Sequence, residues 1–472
     1  MMATGTARKL EVRAPWDGSS VRSCTATDAA ALDGAIAAAR DALADPLPAH
    51  EAAAILERCA RLLGERAEEL AQLIRDEAGK PISLARAEVA RSRDTLTFSA
   101  HEARRGRGEL VPMDASAAGA GYVATVERVP VGVVAAITPF NFPLNLSCHK
   151  LGPAIAAGCS IVHKPASQVP LTALALRELL VESGLPAAWL QLVPGPGRQV
   201  GEPLATDPRI AHLSFTGSGD VGWHLAGLAT RTRVALELGN STPVIVRAGI
   251  DVGDAARRIA VAAMGYAGQS CISIQRVLVE DAIAGELTEA LAAAVDALGV
   301  GDPADADTVV GPMISEQDAA RARGVVDAAI EAGARLVRGG SVVDGLPNRQ
   351  TLQPTILDGI APGMDAFDQE AFAPLLGITR FATDAEAVRL ANATRYGLQM
   401  GILDADLARA LEMAGQLDAG AVTINEVPTF RADQMPYGGT KDSGNTREGP
   451  RYAIRELTRE RMVLRPRSRG GS

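Results

Sequence analysis

Cysteine is sparse and scattered in this chain. The five cysteines, Cys24, Cys59, Cys148, Cys159 and Cys271, are odd in number and form no C-x-x-C pair. That spacing argues against a disulfide framework and against a structural zinc site, so no metal is expected. Positive charge is in deficit: 47 Lys and Arg face 56 Asp and Glu, for a net charge of −9. Such a chain lacks the field that gathers phosphate backbones, so no nucleic-acid partner is expected. Long apolar runs are missing too, so no membrane span is expected. The N-terminal stretch MMATGTARKLEVRAPWDG has no apolar segment behind its basic residues, and a cytoplasmic location follows as the expectation. Only five of the basic residues are lysines: Lys9, Lys80, Lys150, Lys164 and Lys441.

What is present is ordinary globular material. The 472 residues are 47% hydrophobic and 22% charged. At roughly 150 residues per domain, this length suggests two or three domains. Residues 28–44 and 51–78 carry apolar residues at helical spacing, and Gly79-Lys80-Pro81 ends the second helix. A further helix is expected over 82–106. Alternation then marks 122–130 (YVATVERVP) as a half-exposed antiparallel strand. Short continuous apolar runs at 131–137, 159–163, 190–193 and 211–215 read as strands buried on both faces. Strands are also expected at 244–246, 277–280 and 421–425, and helices at 251–267, 282–298 and 316–332. Alternating strand and helix predicts an α/β protein with parallel sheets covered by helices. The C-terminal RPRSRGGS reads as disordered.

Five places could carry chemistry, and each has a plainer alternative. Cys271 follows Gly268-Gln269-Ser270, a turn whose N–H groups could favour a thiolate and hold an oxyanion. It could equally be a buried inert thiol. Glu237, between Leu236 and Leu238 at a strand end, could be a base with a raised pKa or a glutamate facing water. The loop Thr138-Pro139-Phe140-Asn141-Phe142-Pro143 leaves the carboxyl end of a buried strand, where α/β sheets place ligands. Its prolines would fix the Asn141 amide as an oxyanion donor, or simply make a rigid turn. Gly217-Ser218-Gly219-Asp220-Val221-Gly222 could aim N–H groups at a phosphate or merely join strand to helix. Lys164 could reach a ribose or phosphate, or sit solvated at its strand end.

Taken in order, TPFNFP, HKPAS, FTGS, LELG, GQSC, EAFAP and MPYGGTKDSG resemble the aldehyde dehydrogenase superfamily over about residues 28–466. PFNFPLNLSCHK, GQSCISIQRVLV and PTFRADQMPYGG are most similar to its lactaldehyde, sulfolactaldehyde and non-phosphorylating glyceraldehyde-3-phosphate dehydrogenase branch. The resemblance implies that Cys271 attacks an aldehyde and that Asn141 and a backbone N–H hold the oxyanion. It implies transfer of hydride to NAD or NADP, then hydrolysis of a thioester by water that Glu237 activates. Cofactor contacts fall on Ile137, Thr138, Pro139, Phe140, Lys164, Gly217, Ser218, Leu238, Glu370 and Phe372. Ser167 stands where many NAD-preferring members carry a glutamate, so NADP is permitted. Substrate contacts fall on Arg105, Asn145, His149, Ser270 and Arg431, with the two arginines suited to an anion. Asn240, Thr446 and Pro450 depart from the usual pattern near the substrate mouth.

The resemblance further implies a cofactor-binding domain at 1–115 and 131–236 and a catalytic domain at 237–445. An antiparallel oligomerisation flap and tail at 116–130 and 446–472 would make a homodimer or homotetramer. The expected activity is NAD(P)-dependent oxidation of a small hydroxylated or anionic aldehyde to its acid. Transfer of the acyl group to coenzyme A is the alternative, as is a non-catalytic relative that kept the fold. Glu237 speaks against the first, and the intact set Cys271, Glu237 and Asn141 against the second.

Overall fold

The computed structural model describes residues 9–105 and 108–467. Its centre of organisation is a five-stranded parallel sheet. The strand Val133–Ile137 is buried along its whole length and pairs on both sides. This matches its sequence, since a strand with helices on both faces has no polar side to show. The spatial order is Leu190–Leu192, Ile161–Lys164, Val133–Ile137, Ile210–Thr216, Arg233–Glu237. Ile137 lies beside both Lys164 and Phe215, and Thr216 beside Glu237. Four of the segments singled out above therefore leave one edge of one sheet together. The switch in strand order opens a crevice there.

A second sheet has seven strands, in the order Arg335–Arg338, Thr355–Asp358, Leu375–Phe381, Ile274–Glu280, Thr242–Val246, Gln399–Leu403, Ala421–Ile424. It is parallel except for the first edge strand, which runs antiparallel. Cys271 precedes the central strand Ile274–Glu280. A third sheet is antiparallel: Tyr122–Pro130 pairs along its length with Thr458–Pro466 and more briefly with Gly108–Val111. No helix among the described residues is long and apolar enough to cross a membrane.

Several expectations shift in detail. The helix expected over 51–78 is two, Ala49–Glu65 and Ala67–Ala78, broken where Arg66 leaves helical geometry (φ −108°, ψ 25°) and reaches Glu182. The helix expected over 251–267 ends at Met264, because Tyr266 and Ala267 turn left-handed. Ile82–Ala103 ends short of Gly106, which lies outside the described residues. Of the tail expected to be disordered, Arg465 and Pro466 belong to a strand, and residues 468–472 lie outside the described residues. The hairpin of Lys9–Arg13 with Ser20–Thr25 went unread.

One buried ion pair ties the helices to the crevice. Lys80 and Glu88 are both inaccessible and bond to each other. The other Glu88 oxygen accepts the N–H groups of Leu144 (2.9 Å) and Asn145 (3.1 Å), where the helix Asn145–Ala157 begins. The Lys80 ammonium lies 3.7 Å from the Phe142 ring centre and 4.8 Å from that of Tyr266. Removing one partner strands the other charge without water. Glu88→Ala is expected to lower the unfolding free energy by about 3–5 kcal/mol in urea titrations. A double Lys80→Met, Glu88→Leu variant should recover most of that loss, and a single variant as stable as the parent would show the pair to be idle.

Candidate active site

The turn that carries Cys271 is built on unusual backbone. Tyr266 and Ala267 both sit at φ 53° and Gly268 follows at φ 66°. Gly268 is required twice over, since a Cβ there would come within 2.0 Å of the Ala373 carbonyl oxygen. The Tyr266 hydroxyl donates to Ala78 O at 2.9 Å. Gln269 is a buried strut: its Nε2 donates to Tyr266 O and Pro312 O, and its Oε1 accepts Ile314 N–H. The turn delivers Cys271 to the wall of a cleft of about 590 Å³, partly accessible from it. Ser270 and Ile272, its neighbours, line a second cavity of about 660 Å³. The sulfur thus stands at the partition between two cavities.

Asn141 and Glu237 line the same cleft as Cys271. The Asn141 amide donates to Gln269 O at 2.9 Å, which fixes one N–H and leaves the second free. Glu237 is 1% exposed, and neither of its oxygens has a hydrogen-bond partner. Burial pushes its pKa up, and the Glu448 carboxylate pushes further; Arg431 and Lys150 pull the other way. Burial and Glu237 raise the Cys271 thiol well above its ordinary value, opposed by a hydrogen bond from Tyr437 and by Arg431.

The remaining candidates divide by location. Pro139, Phe140, Gly217, Ser218, Leu238, Glu370 and Phe372 line the cleft with Cys271. Phe140 meets Phe372 edge to face at 5.9 Å, and Phe372 holds a left-handed φ of 49°. Glu370 accepts Asn240 N–H at 3.0 Å, and burial raises its pKa to about 7. Gly239 makes room for it, because a Cβ there would come within 2.2 Å of the Glu370 carboxylate. Ile137 and Lys164 line a third cavity of about 380 Å³, which adjoins the cleft at Asp220. Thr138 and Ser167 line none of these cavities: the Thr138 hydroxyl meets His163 Nε2 and the Ser167 hydroxyl donates to Gly195 O.

The substrate candidates scatter more widely. Asn145 and His149 are buried and both bond Asp433, at 3.0 and 2.8 Å. Arg431 is buried as well; it donates to Glu448 at 2.9 Å and lies over the Tyr437 ring. Arg105 is not brought to the nucleophile. It is exposed, pairs with Glu102 one helical turn earlier, and lines none of the cavities described. The helix ends at Ala103, and Arg105 lies just past it on the surface.

Sequence reasoning gave no role to Tyr437, Glu448, Lys150, Gln269, Asp433 or Arg91. Tyr437 stands inside the quoted MPYGGTKDSG, and Glu448 two residues past the departure at Thr446. Their contacts span the chain: Cys271 to Tyr437, and Lys150 to Glu448 at 3.2 Å. Nothing local announces such pairs. Glu448 sits between Lys150 and Arg431, and these cations hold its carboxyl below the usual range.

Comparison with known proteins gives the same picture as the geometry. The pattern of the aldehyde dehydrogenase family matches residues 2–463. A 3-sulfolactaldehyde dehydrogenase of Priestia aryabhattai is 40% identical over 97% of this chain and 95% of its own length. A lactaldehyde dehydrogenase of Methanocaldococcus jannaschii is 37% identical over 87% of each chain. The crystal structure of a glyceraldehyde-3-phosphate dehydrogenase from Methanocaldococcus jannaschii, complexed with NADP, superimposes with a TM-score of 0.92 at 35% identity, covering 98% of this chain and 100% of that one. A cysteine, a carboxamide and an unpaired buried carboxylate converge on a crevice at strand ends, and the match runs nearly end to end: the chain belongs to the aldehyde dehydrogenase family.

Proposed function

We propose that this chain oxidises a small hydroxylated or anionic aldehyde to its free acid, using NAD or NADP. The observation that carries the reading is the meeting of Cys271, Asn141 and the unpartnered Glu237 carboxylate on one cleft. Cys271 bonds its sulfur to the aldehyde carbon, and the carbonyl oxygen takes the negative charge. The free N–H of Asn141, with the Cys271 backbone N–H, holds that oxygen. Because its other N–H is tied to Gln269, the amide is oriented beforehand and needs no reorganisation.

A dinucleotide would bind across the adjoining first and third cavities, and when bound it supplies the hydride acceptor. The donors present fit such a group. The Lys164 ammonium is 5% exposed and bonds only the Pro165 carbonyl, and burial lowers its pKa to about 8. An amine so placed has unused donors for ribose hydroxyls. Glu370 has its second carboxylate oxygen free, and Gly217 and Ser218 open the helix Gly219–Leu228 towards the cleft. Ser167 presents no carboxylate that would repel a 2′-phosphate.

The acyl group left on sulfur is released by water. Glu237 takes the proton of that water, a task its desolvated carboxylate suits once ionised. The aldehyde would arrive through the second cavity, where Arg91, Arg257 and Arg258 stand in the lining. Arg91 pairs with Asp433, Arg257 with Asp254 and Arg258 with Glu426, and the N–H groups these pairs leave over would meet an anionic tail of the kind the sulfolactaldehyde relative's name describes. The cofactor-binding, catalytic and flap boundaries set out above, a cytoplasmic location and a homodimer or homotetramer belong to the same reading. Exposed Met462, Val463 and Leu464 on an edge of the antiparallel sheet support assembly.

Cys271→Ala should abolish aldehyde oxidation while calorimetry still records dinucleotide binding; persistent turnover would remove the nucleophile from the scheme. Glu237→Gln should release one equivalent of reduced cofactor rapidly and then stall, with steady-state turnover down about a hundred- to ten-thousand-fold. The pH dependence follows from the raised pKa of Glu237. The base exists only above that pKa, so wild-type turnover should be low in acid and climb across a limb well above the usual glutamate range. A limb left in place by Glu237→Gln would assign it to another group.

A further inference from the structure

Cys271 has a neighbour that neither the oxyanion site nor the water-activating base accounts for. Its sulfur lies 2.8 Å from the hydroxyl of Tyr437, a side chain only 2% exposed. The Arg431 guanidinium carbon sits 3.6 Å from the centre of the Tyr437 ring. Arg431 in turn donates to Glu448, while the Tyr437 N–H donates to Glu448 O at 3.1 Å and the Glu448 N–H donates back at 2.6 Å. Tyr437, Arg431 and Glu448 therefore move as one unit against the sulfur.

We propose that Tyr437 is a further catalytic residue, whose phenol donates its hydrogen to the Cys271 thiolate, and that Arg431 is the positioning residue that holds and polarises its ring. The proposal rests on Cys271 being the nucleophile. In the thiol form either atom can donate. Once the thiol proton has passed to solvent in the cleft, the sulfur keeps the electron pair and only the phenol has a hydrogen to give. Burial keeps that phenol protonated far into the alkaline range. A guanidinium against the ring face draws on the π-electrons and strengthens the O–H as a donor.

The charges around the sulfur show why such a donor matters. Burial disfavours the thiolate most, and Glu237 and Glu370 oppose it further when they ionise. Asn141 is neutral. Of the largest influences on the sulfur, the Tyr437 hydroxyl and Arg431 favour its anion. On attack the S–C bond forms, the charge moves to the carbonyl oxygen and the phenol contact weakens. When water cleaves the acyl group, the C–S bond breaks, the sulfur takes the electron pair back and the phenol donates again. The same hydrogen bond thus serves the start of acylation and the end of deacylation.

Alkylation of the free enzyme by iodoacetamide measures this directly, since the thiolate forms an S–C bond and iodide leaves. The rate is read on the Cys271 peptide by mass spectrometry across a pH series, which separates it from the other cysteines. Tyr437→Phe keeps the ring and its contact with Arg431. It should move the alkylation midpoint up by about one pH unit and slow the reaction near neutral pH about tenfold. In turnover kcat should fall while KM for the aldehyde holds. Arg431→Lys keeps a charge beside Glu448 but loses the flat contact, and should give a smaller upward shift. Circular dichroism and thermal melting establish that each variant is folded. A folded Tyr437→Phe whose alkylation curve overlays the parent would overturn the proposal; should that variant fail to fold, an unshifted Arg431→Lys curve would overturn it instead. Failure of the nucleophile reading looks different: complete alkylation of Cys271 in the parent would leave aldehyde oxidation undiminished.

Discussion

Three consecutive left-handed residues set everything else in this site. Tyr266, Ala267 and Gly268 bring the chain out of a helix and turn it sharply before Cys271. Two of them carry side chains, and such conformations cost about 1–3 kcal/mol each. They persist because the surroundings over-determine them. Tyr266 is anchored to Ala78, Gln269 braces the backbone at Tyr266 and across Pro312 to Ile314, and the Ala373 carbonyl occupies the space a side chain at Gly268 would need. The reward is position. A relaxed helix end would point Cys271 into one cavity or the other, whereas this turn sets it between them. Cys271 then lines the first cavity while its neighbours Ser270 and Ile272 line the second.

A second constraint is electrostatic. Glu237, Glu448, Lys150 and Arg431 are all buried, and the two cations both lie on Glu448. The ion pairs therefore satisfy Glu448 and leave Glu237 with no hydrogen bond at all. A carboxylate without partners in a dry place is costly, and its usual escape is to take up a proton. Here the cost is tied to use. In its proposed role as a base the group acts only when it ionises, and every partner that would ease ionisation would also dull its pull on water. The Lys80–Glu88 pair shows the opposite arrangement. There every charge has a partner, and the result is a fixed point under the Asn141 loop rather than a reactive group.

The sequence was most legible where function follows backbone order. Buried strands show as continuous apolar runs, and in a parallel sheet their carboxyl ends share an edge. Asn141, Lys164, Ser218 and Glu237 could thus be placed near one another from Val133–Ile137 and its neighbours alone, and the motif order supplied the family. Legibility failed where a side chain meets something far along the chain. Arg105 stands in a run of arginines whose helical phase the sequence leaves open, and it lies just past the helix end on the surface. Tyr437 lies 166 residues from Cys271, and nothing near it in sequence says that its hydroxyl meets a sulfur. The break at Arg66 follows from a partner at Glu182, again a distant residue. The strands Leu375–Phe381 (LLGITRF) and Gln399–Leu403 (QMGIL) are short apolar runs, each interrupted by a glycine, which leaves their type open until the sheet around them is known.

The contrast between Arg105 and Arg431 bears on how a family site acquires its substrate. Both lie in segments that suggested anion binding. One became a surface residue paired with Glu102, while the other lies within the core and holds Glu448 and Tyr437 together. An arginine with a carboxylate at 2.9 Å and an aromatic ring against its face has already spent most of its donors. The arginines lining the second cavity are paired with carboxylates too, but their side chains are 29%, 68% and 32% exposed for Arg91, Arg257 and Arg258, against 7% for Arg431. Selectivity would then be set at the cavity wall, several residues removed from the sulfur. In the proposed reading the chemistry at Cys271 can stay constant while that wall changes, since function lives in sites grafted on a fold.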